Sequence, residues 1–316
     1  MLQTHSGEHN TSWVSEAGTA HSGDTLAVKD DVKVMACASC GFAHVVPLPS
    51  DDWLKNFYET EFYQEEKTDY LSMDADETSW RALEFGARFD FVERYIAQGN
   101  RSVLDIGCGP GDFLKTAQQR GWKAHGVEPS STASAFARTQ GVDVRTGFFG
   151  PDTFVEQTEF DFIHMSEVLE HVADPREVVA CAMQCLRPGG IICISVPNDF
   201  NAFQKSVVAQ SNADEWWVVP DHHLNYFSFE TLENLLVSEG FDLLERTTNF
   251  PMELFLLMGQ DYTSDPKLGS KLHGWRKNFD RSTADAGSLR QDFYRALAQA
   301  NLGRLSIVFA RKKEVS

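Results

Sequence analysis

From residue 101 onward, short β-branched runs alternate with stretches whose apolar positions recur at helical spacing. The runs SVLDI, AHGVE, VDVRT, FDFIHM and IICISV read as strands, and helices are predicted from Asp112 to Arg120, near Ser131 to Gln140 and from Pro175 to Leu186. This alternation predicts crossover units on a parallel sheet, the organisation of an α/β body. The third helix is the best specified: Asp174 can cap it, Pro175 suits its first position, Glu177 completes a capping box and Pro188-Gly189-Gly190 ends it. Downstream, an irregular stretch carries Trp216, Trp217 and PDHHLNYFS. A helix from about Phe229 to Glu239 follows, capped by Ser228 and stopped by Gly240, then a strand, FDLLERT. The segment from Asn249 to Leu302 is long and mixed, and GRLSIVFARKK reads as a strong final strand.

Upstream the pattern weakens. Residues 1 to about 33 are rich in Ser, Thr, Gly, His and acids without an apolar period, which predicts a flexible arm followed by one short strand, VKVMAC. Residues 51–98 carry aromatic and apolar positions at helical spacing (Trp53, Phe57, Tyr58, Phe62, Tyr63, then Trp80 to Ile96), a helical prelude ending before Gly99. The expected organisation is an arm with a knuckle over 1–50, the prelude over 51–99, and a main domain over 100–316 whose insertions at 199–228 and 250–302 cover a pocket.

In VLDIGCGPGDF the first strand runs into Gly107, Gly109 and Gly111 before a helix opens, which lets a ligand approach the main chain closely. A dinucleotide fingerprint requires a small residue at the sixth position from Gly107, where Asp112 stands, so the loop disfavours NAD. The second strand ends in Glu128, and an acid at that edge can accept hydrogen bonds from both hydroxyls of a ribose held over the glycines.

These features resemble the class I S-adenosylmethionine (SAM)-dependent methyltransferases. VLDIGCGPG is similar to their first motif, HGVEPS to their ribose-binding strand end, FDFIHMSEVLEHVADP to their fourth-strand motif and LRPGGIICISVPN to their fifth-strand motif. The resemblance implies a Rossmann-like, doubly wound seven-stranded sheet with its last strand antiparallel. It implies that Asp105 and Gly107 lie by the methionine part of the cofactor, that Gly109 and Gly111 line its approach, that Glu128 binds the ribose and that Pro129 flanks the adenine. Phe148 and Phe149 would supply adenine contacts where the family often has an acid, or else simply pack in the core; Met165 and Ser166, just past the fourth strand, would face the methionine moiety.

Methyl transfer from a sulfonium is an in-line displacement from an activated donor, so the protein chiefly aligns the reactants and excludes water. A base is required where the acceptor is protonated. His223 is the first candidate and His222 the second, with Glu167 beside them; Glu170 and His171 follow the same strand, and His171 reads as a residue that fixes the local turn. Trp216, Trp217, Tyr226 and Phe227 form either a stacking wall for a sugar or aromatic ring or a lid's own small core.

Charge narrows the partners. The 316 residues include 28 Lys and Arg against 46 Asp and Glu, a net charge of −18, the wrong sign for gripping a phosphate backbone, so no nucleic-acid partner is expected and RNA methylation is opposed. No apolar run approaches the roughly 18 to 20 residues that cross a bilayer, and the first residues lack a signal-peptide pattern, so the expectation is a cytoplasmic protein without a membrane partner. Of six cysteines only Cys37 and Cys40 form a CxxC pair. Tetrahedral zinc needs four ligands, so His44 and one of His5, His9 or His21 would have to complete a site; a remnant knuckle held by packing, without metal, is expected instead. The function read from the sequence is methyl transfer to a hydroxyl or amine of a small molecule, and the narrower expectation is a sugar of a polysaccharide or natural-product pathway. Its rivals are a catalytically silent SAM-binding module and a protein methyltransferase.

Overall fold

The computed structural model describes residues 10–15, 18–50, 53–54, 75–97, 99, 101–151, 153, 160–211, 214–284 and 286–314. His5, His9 and the expected helical positions Phe57, Tyr58, Phe62 and Tyr63 lie outside the described residues.

Two sheets organise the chain. The larger contains β5 (Ser102–Ile106), β6 (Lys123–Glu128), β7 (Asp143–Thr146), β8 (Phe160–Ser166), β9 (Leu186–Pro197), β11 (Phe241–Thr247) and β12 (Leu305–Lys312), in the order β11-β12-β9-β8-β5-β6-β7. The five strands β5 to β9 run parallel, while β12 is antiparallel to both β9 and β11. This is the expected doubly wound seven-stranded sheet with its last strand reversed. The chain order turns back between β5 and β8, and an open α/β sheet presents its ligand crevice at such a switch point, outside the carboxyl ends of the strands.

Helices α2 (Asp112–Gln119), α3 (Ser131–Thr139), α4 (Pro175–Cys185) and α6 (Phe229–Ser238) cover this sheet, preceded in the chain by α1 (Ala75–Val92). Asp174 caps α4 as expected, its carboxylate accepting from Arg176 N and Glu177 N. The expected stop at Pro188-Gly189-Gly190 is corrected: α4 ends at Cys185, β9 starts at Leu186, and the Pro-Gly-Gly triplet lies within that strand. There the pairing register shifts from Phe160↔Leu186 to Phe162↔Ile191, the irregularity that a proline and a positive-φ glycine impose on a ladder.

The reading of residues 1 to 33 as an arm is also corrected. Strands β1 (Asn10–Val14), β2 (Ala20–Lys29), β3 (Val32–Cys37) and β4 (Ala43–Val46) form an antiparallel sheet, completed by β10 (Asn225–Tyr226) from the far end of the chain. β2 alternates exposed Ala20, Ser22, Asp24 and Leu26 with less exposed His21, Gly23, Thr25 and Ala27. That period of two is present in the sequence but written in polar and small residues, whose strand propensity is low; pairing with β3 supplies what local preference lacks. The far face packs Val34, Val45 and Leu54 against Trp217, Val218, Leu224 and Tyr226, so this sheet shares a core with the 199–228 insertion. That insertion is itself less irregular than expected, because α5 (Ala202–Ser211) opens it.

The 250–302 segment folds as α7 (Glu253–Leu257), α8 (Pro266–Ala284) and α9 (Leu289–Gln299) around Phe250, Phe255, Leu272 and Tyr294. It docks on α1 through buried polar contacts: Trp80 Nε1 donates to Asp280 Oδ2 at 2.7 Å, and His273 Nε2 lies 3.0 Å from Glu77 Oε2. No helix among the described residues is long and apolar enough to cross a membrane.

Candidate active site

The glycine loop leaves β5 at the switch point. Gly107, Gly109 and Gly111 have φ of 71°, 51° and 89°, in the left-handed region where a side chain is strained. Space forbids one as well: a Cβ on Gly107 would stand 2.5 Å from Val168 Cγ2, and one on Gly111 would stand 2.9 Å from Val142 Cγ2. The bare main chain of the loop is therefore a requirement of the local packing.

Glu128, at the carboxyl end of β6, latches this loop. Its Oε2 accepts from Gly109 N at 2.9 Å and its Oε1 from Ser130 N at 2.8 Å, while its own carbonyl accepts from Gly147 N at 2.9 Å. A carboxylate has about four acceptor positions, which suits it to a ligand diol. The residues fit a ribose, with an acid fixed at a loop whose three glycines let a ligand approach the main chain.

Beneath the loop lies a buried chain of polar groups. His164 on β8 places Nδ1 2.6 Å from Asp105 Oδ1, stacks on Phe113 at 3.7 Å between centroids, and faces the guanidinium of Arg88 from α1 with Nε2. Burial and the neighbouring Arg88 hold the imidazole well below its usual pKa, so it is neutral, donating from Nδ1 and accepting at Nε2. Burial pushes the Asp105 carboxyl up, and Arg88 opposes that shift. Arg88 and His164 were missed by the sequence reading. Arg88 sits in an amphipathic helix and His164 in a strand, each unremarkable until the fold joins them.

A cleft of 510 Å³ opens at the carboxyl ends of β5, β8 and β9. Among the expected site residues it brings together Gly107, Gly109, Ser166, Glu167, His222 and His223. Asp105, Gly111, Glu128, Pro129, Phe148, Phe149 and Met165 do not line it. Asp105 is turned to His164 instead. Met165 lies inside β8 rather than past it and is fully buried in the main core with Leu104 and Ile163, because strand alternation points it away from the crevice. Phe148 is 45% exposed, and Phe149 packs against the main core.

Glu167 holds a left-handed backbone, with φ of 56° and its N–H donating to Ser195 O at 2.7 Å, which swings the chain out of β8 at the cleft rim. His171 takes the positioning part expected of it, its Nδ1–H donating to the His222 carbonyl at 2.8 Å. Leu224 N and Asn225 N both donate to Glu170 O, and the Asn225 amide donates to Leu169 O and Val172 O, so the histidine loop is riveted to the turn after β8. Trp217 and Tyr226 are buried in the core shared with the small sheet and Phe227 in the main core; half-buried Trp216 borders the cleft with Trp217.

Two further acids line the cleft. Asp199, just after β9, and Glu253, opening α7, both face the cleft from buried positions. Burial pushes both carboxyls up, Asp199 also through the nearby Glu253 charge. Asp199 Oδ2 and Glu253 Oε2 have no hydrogen-bond partner among the described residues. Asp199 extends the VPND motif by one residue; Glu253 has no signal in the sequence, since only the docking of α7 brings it here.

Comparison with known proteins gives the same class as the fold and the loop. A family described as a methyltransferase domain matches residues 75–246, and the chain belongs to that family. The ubiquinone biosynthesis O-methyltransferase of Aromatoleum aromaticum is 34% identical over 128 residues, which is 38% of this chain and 55% of that protein. The protein of the same name from Azoarcus sp. (strain BH72) is 26% identical over 188 residues, 57% of this chain and 76% of that one. The chain spans about half the length of the first three curated relatives it matches, 55%, 53% and 50%. The plantazolicin methyltransferase BpumL, solved with SAH, shares the fold at a TM-score of 0.50 and 17% identity, over 83% of this chain and 94% of that chain.

Proposed function

We propose that this chain methylates a hydroxyl group of a small, polyhydroxylated or ring-bearing molecule. The observation that carries the reading is that one cleft is lined by Gly107, Gly109 and Ser166, by Glu167, His222 and His223, and by two buried acids, Asp199 and Glu253. In this reading SAM supplies an already activated methyl group. The loop of Gly107, Gly109 and Gly111 receives it along the main chain, Glu128 accepts from the ribose hydroxyls, Pro129 and Phe149 lie on the adenine side, and Ser166 borders the methionine end.

His223 takes the acceptor proton as the new oxygen–carbon bond forms, while the carbon–sulfur bond breaks toward the departing thioether. His171, holding the carbonyl of His222, positions this loop. Asp199 and Glu253, whose carboxyls burial pushes up, offer hydrogen-bonding partners to the hydroxyls of an acceptor, which suits a sugar or a polyol; Trp216 offers a ring face to the same cleft. The hydroxyl is favoured over the amine because the curated relatives named above are O-methyltransferases. The division into a 1–50 knuckle, a 51–99 prelude and a 100–316 catalytic body is part of the same proposal.

The test pairs an acceptor screen with a variant. A mass-spectrometric screen of phenols and nucleotide sugars with SAM is expected to give a product 14 Da heavier; retained SAM binding with no product across the panel would favour the silent-module reading. His223→Ala is expected to lower kcat about 10²–10⁴-fold while leaving SAM affinity within about twofold, the range a positioned general base supplies. Equal turnover in both proteins would dismiss His223 as the base.

A further inference from the structure

We propose that His21, Cys37, Cys40 and His44 form a tetrahedral zinc site within the small sheet. The sequence alone favours a metal-free remnant because it contains a single cysteine pair. The fold supplies the other two ligands. β3 ends at Cys37 and β4 begins at Ala43, and in the turn between them Gly41 N donates to Cys37 O at 3.0 Å with Gly41 at φ 80°, which brings Cys37 and Cys40 round to one side. β2 lies unusually close to this turn: a Cβ on Gly23 would stand 1.8 Å from the Ala36 carbonyl oxygen, so only glycine permits the approach. His21, two residues before Gly23, is thereby laid over the cysteines.

The resulting distances are those of a coordination sphere. His21 Nδ1 is 3.5 Å from Cys37 Sγ and 3.4 Å from Cys40 Sγ, and ligand atoms of all four residues lie within 4.8 Å of one another. With Zn–S near 2.3 Å and Zn–N near 2.05 Å, a tetrahedral S–Zn–N edge is about 3.5 Å. Both cysteines are free thiols. His44 is the most telling member. It is 1% exposed, its Nδ1–H donates to Val45 O at 2.8 Å, and its buried Nε2 has no partner among the described residues. The backbone bond selects the tautomer whose Nε2 lone pair is available, the usual outer-shell arrangement of a metal-binding histidine. Trp13 packs over both rings, at 5.0 Å from His21 and 6.3 Å from His44. Two thiolates and a divalent cation sum to zero charge, so the assembled site suits a shielded location, and mixed thiolate and imidazole ligands in tetrahedral disposition select zinc.

The site is also placed to matter. His44 pairs with Asn225, and Val45 N donates to Leu224 O at 2.8 Å, so the metal would brace the strand that follows His222 and His223. This consequence rests on the proposed acceptor cleft; the site does not.

Elemental analysis of the full chain purified without chelator should give about one zinc per chain. Exchange for Co(II) should give thiolate-to-cobalt charge transfer and the visible bands of a tetrahedral ion, a readout on the unaltered chain that requires no variant to fold. His21→Ala and Cys40→Ser should each lose most of the zinc and the cobalt spectrum while still binding SAM. A metal-free protein that takes up no Co(II), a Cys37–Cys40 disulfide in the intact mass, or full zinc retention by both variants would each overturn the site; the last would move the metal to the other cluster, Glu170, His171 and His223. The bracing effect is read separately, as a raised acceptor KM at unchanged SAM affinity in His21→Ala, and an unchanged KM would remove that effect alone.

Discussion

Arg88→Ala is expected to lower the unfolding free energy by about 3–5 kcal/mol, the cost of stranding a buried charge by removing its partner. Arg88 is 5% exposed and reaches Asp105 through the neutral His164 ring, so its removal takes from the Asp105 carboxyl the larger of two cationic influences, the other being Arg81. Chemical denaturation of the two proteins measures the difference, with the slope checked for constancy. Because the penalty arises from an uncompensated charge, the double change Arg88→Met with Asp105→Asn should recover part of it, and the cycle isolates the coupling. A loss below about 1 kcal/mol in Arg88→Ala would mean that Asp105 is already neutral and that the guanidinium contributes little.

The second large effect concerns Glu128. Glu128→Ala is expected to weaken SAM binding by about 1–3 kcal/mol, roughly 5- to 150-fold, through loss of charge-assisted hydrogen bonds to the ribose. The structure adds a second penalty. Gly109 N and Ser130 N donate to this carboxylate from buried positions and would lose their acceptor, loosening the loop against which the cofactor lies. Glu128→Ala should therefore also lower the thermal midpoint of the ligand-free protein, whereas a residue serving the ribose alone would not. Calorimetric titration with SAM and a thermal scan without it separate the two contributions. Unchanged affinity would exclude Glu128 from the cofactor site, and unchanged thermal stability would exclude the latch.

Much of the catalytic body was legible because its signals are local. The cap at Asp174, the glycines after SVLDI and the acid closing KAHGVE are each specified within a few residues, and a strand or helix period repeats them over the whole domain. Misreadings fell where local preference and tertiary pairing disagree. β2 is written in polar and small residues and gains its strand geometry from β3; α5 falls in a segment that shows weak amphipathic patterning. Met165, which the resemblance places by the methionine moiety, is buried in the core because alternation along β8 turns it away from the crevice.

The sequence by itself determined the doubly wound sheet, the glycine loop with Glu128 and the histidine loop after β9, since each depends on residues close together in the chain. Only the tertiary structure decided which distant groups share a site. Arg88 meets His164 across 76 residues, His21 meets Cys37 across 16, and Glu253 reaches the cleft through the docking of α7. Such contacts are set by how sheets and helices pack, and a side chain's neighbours across that packing leave no period in the sequence.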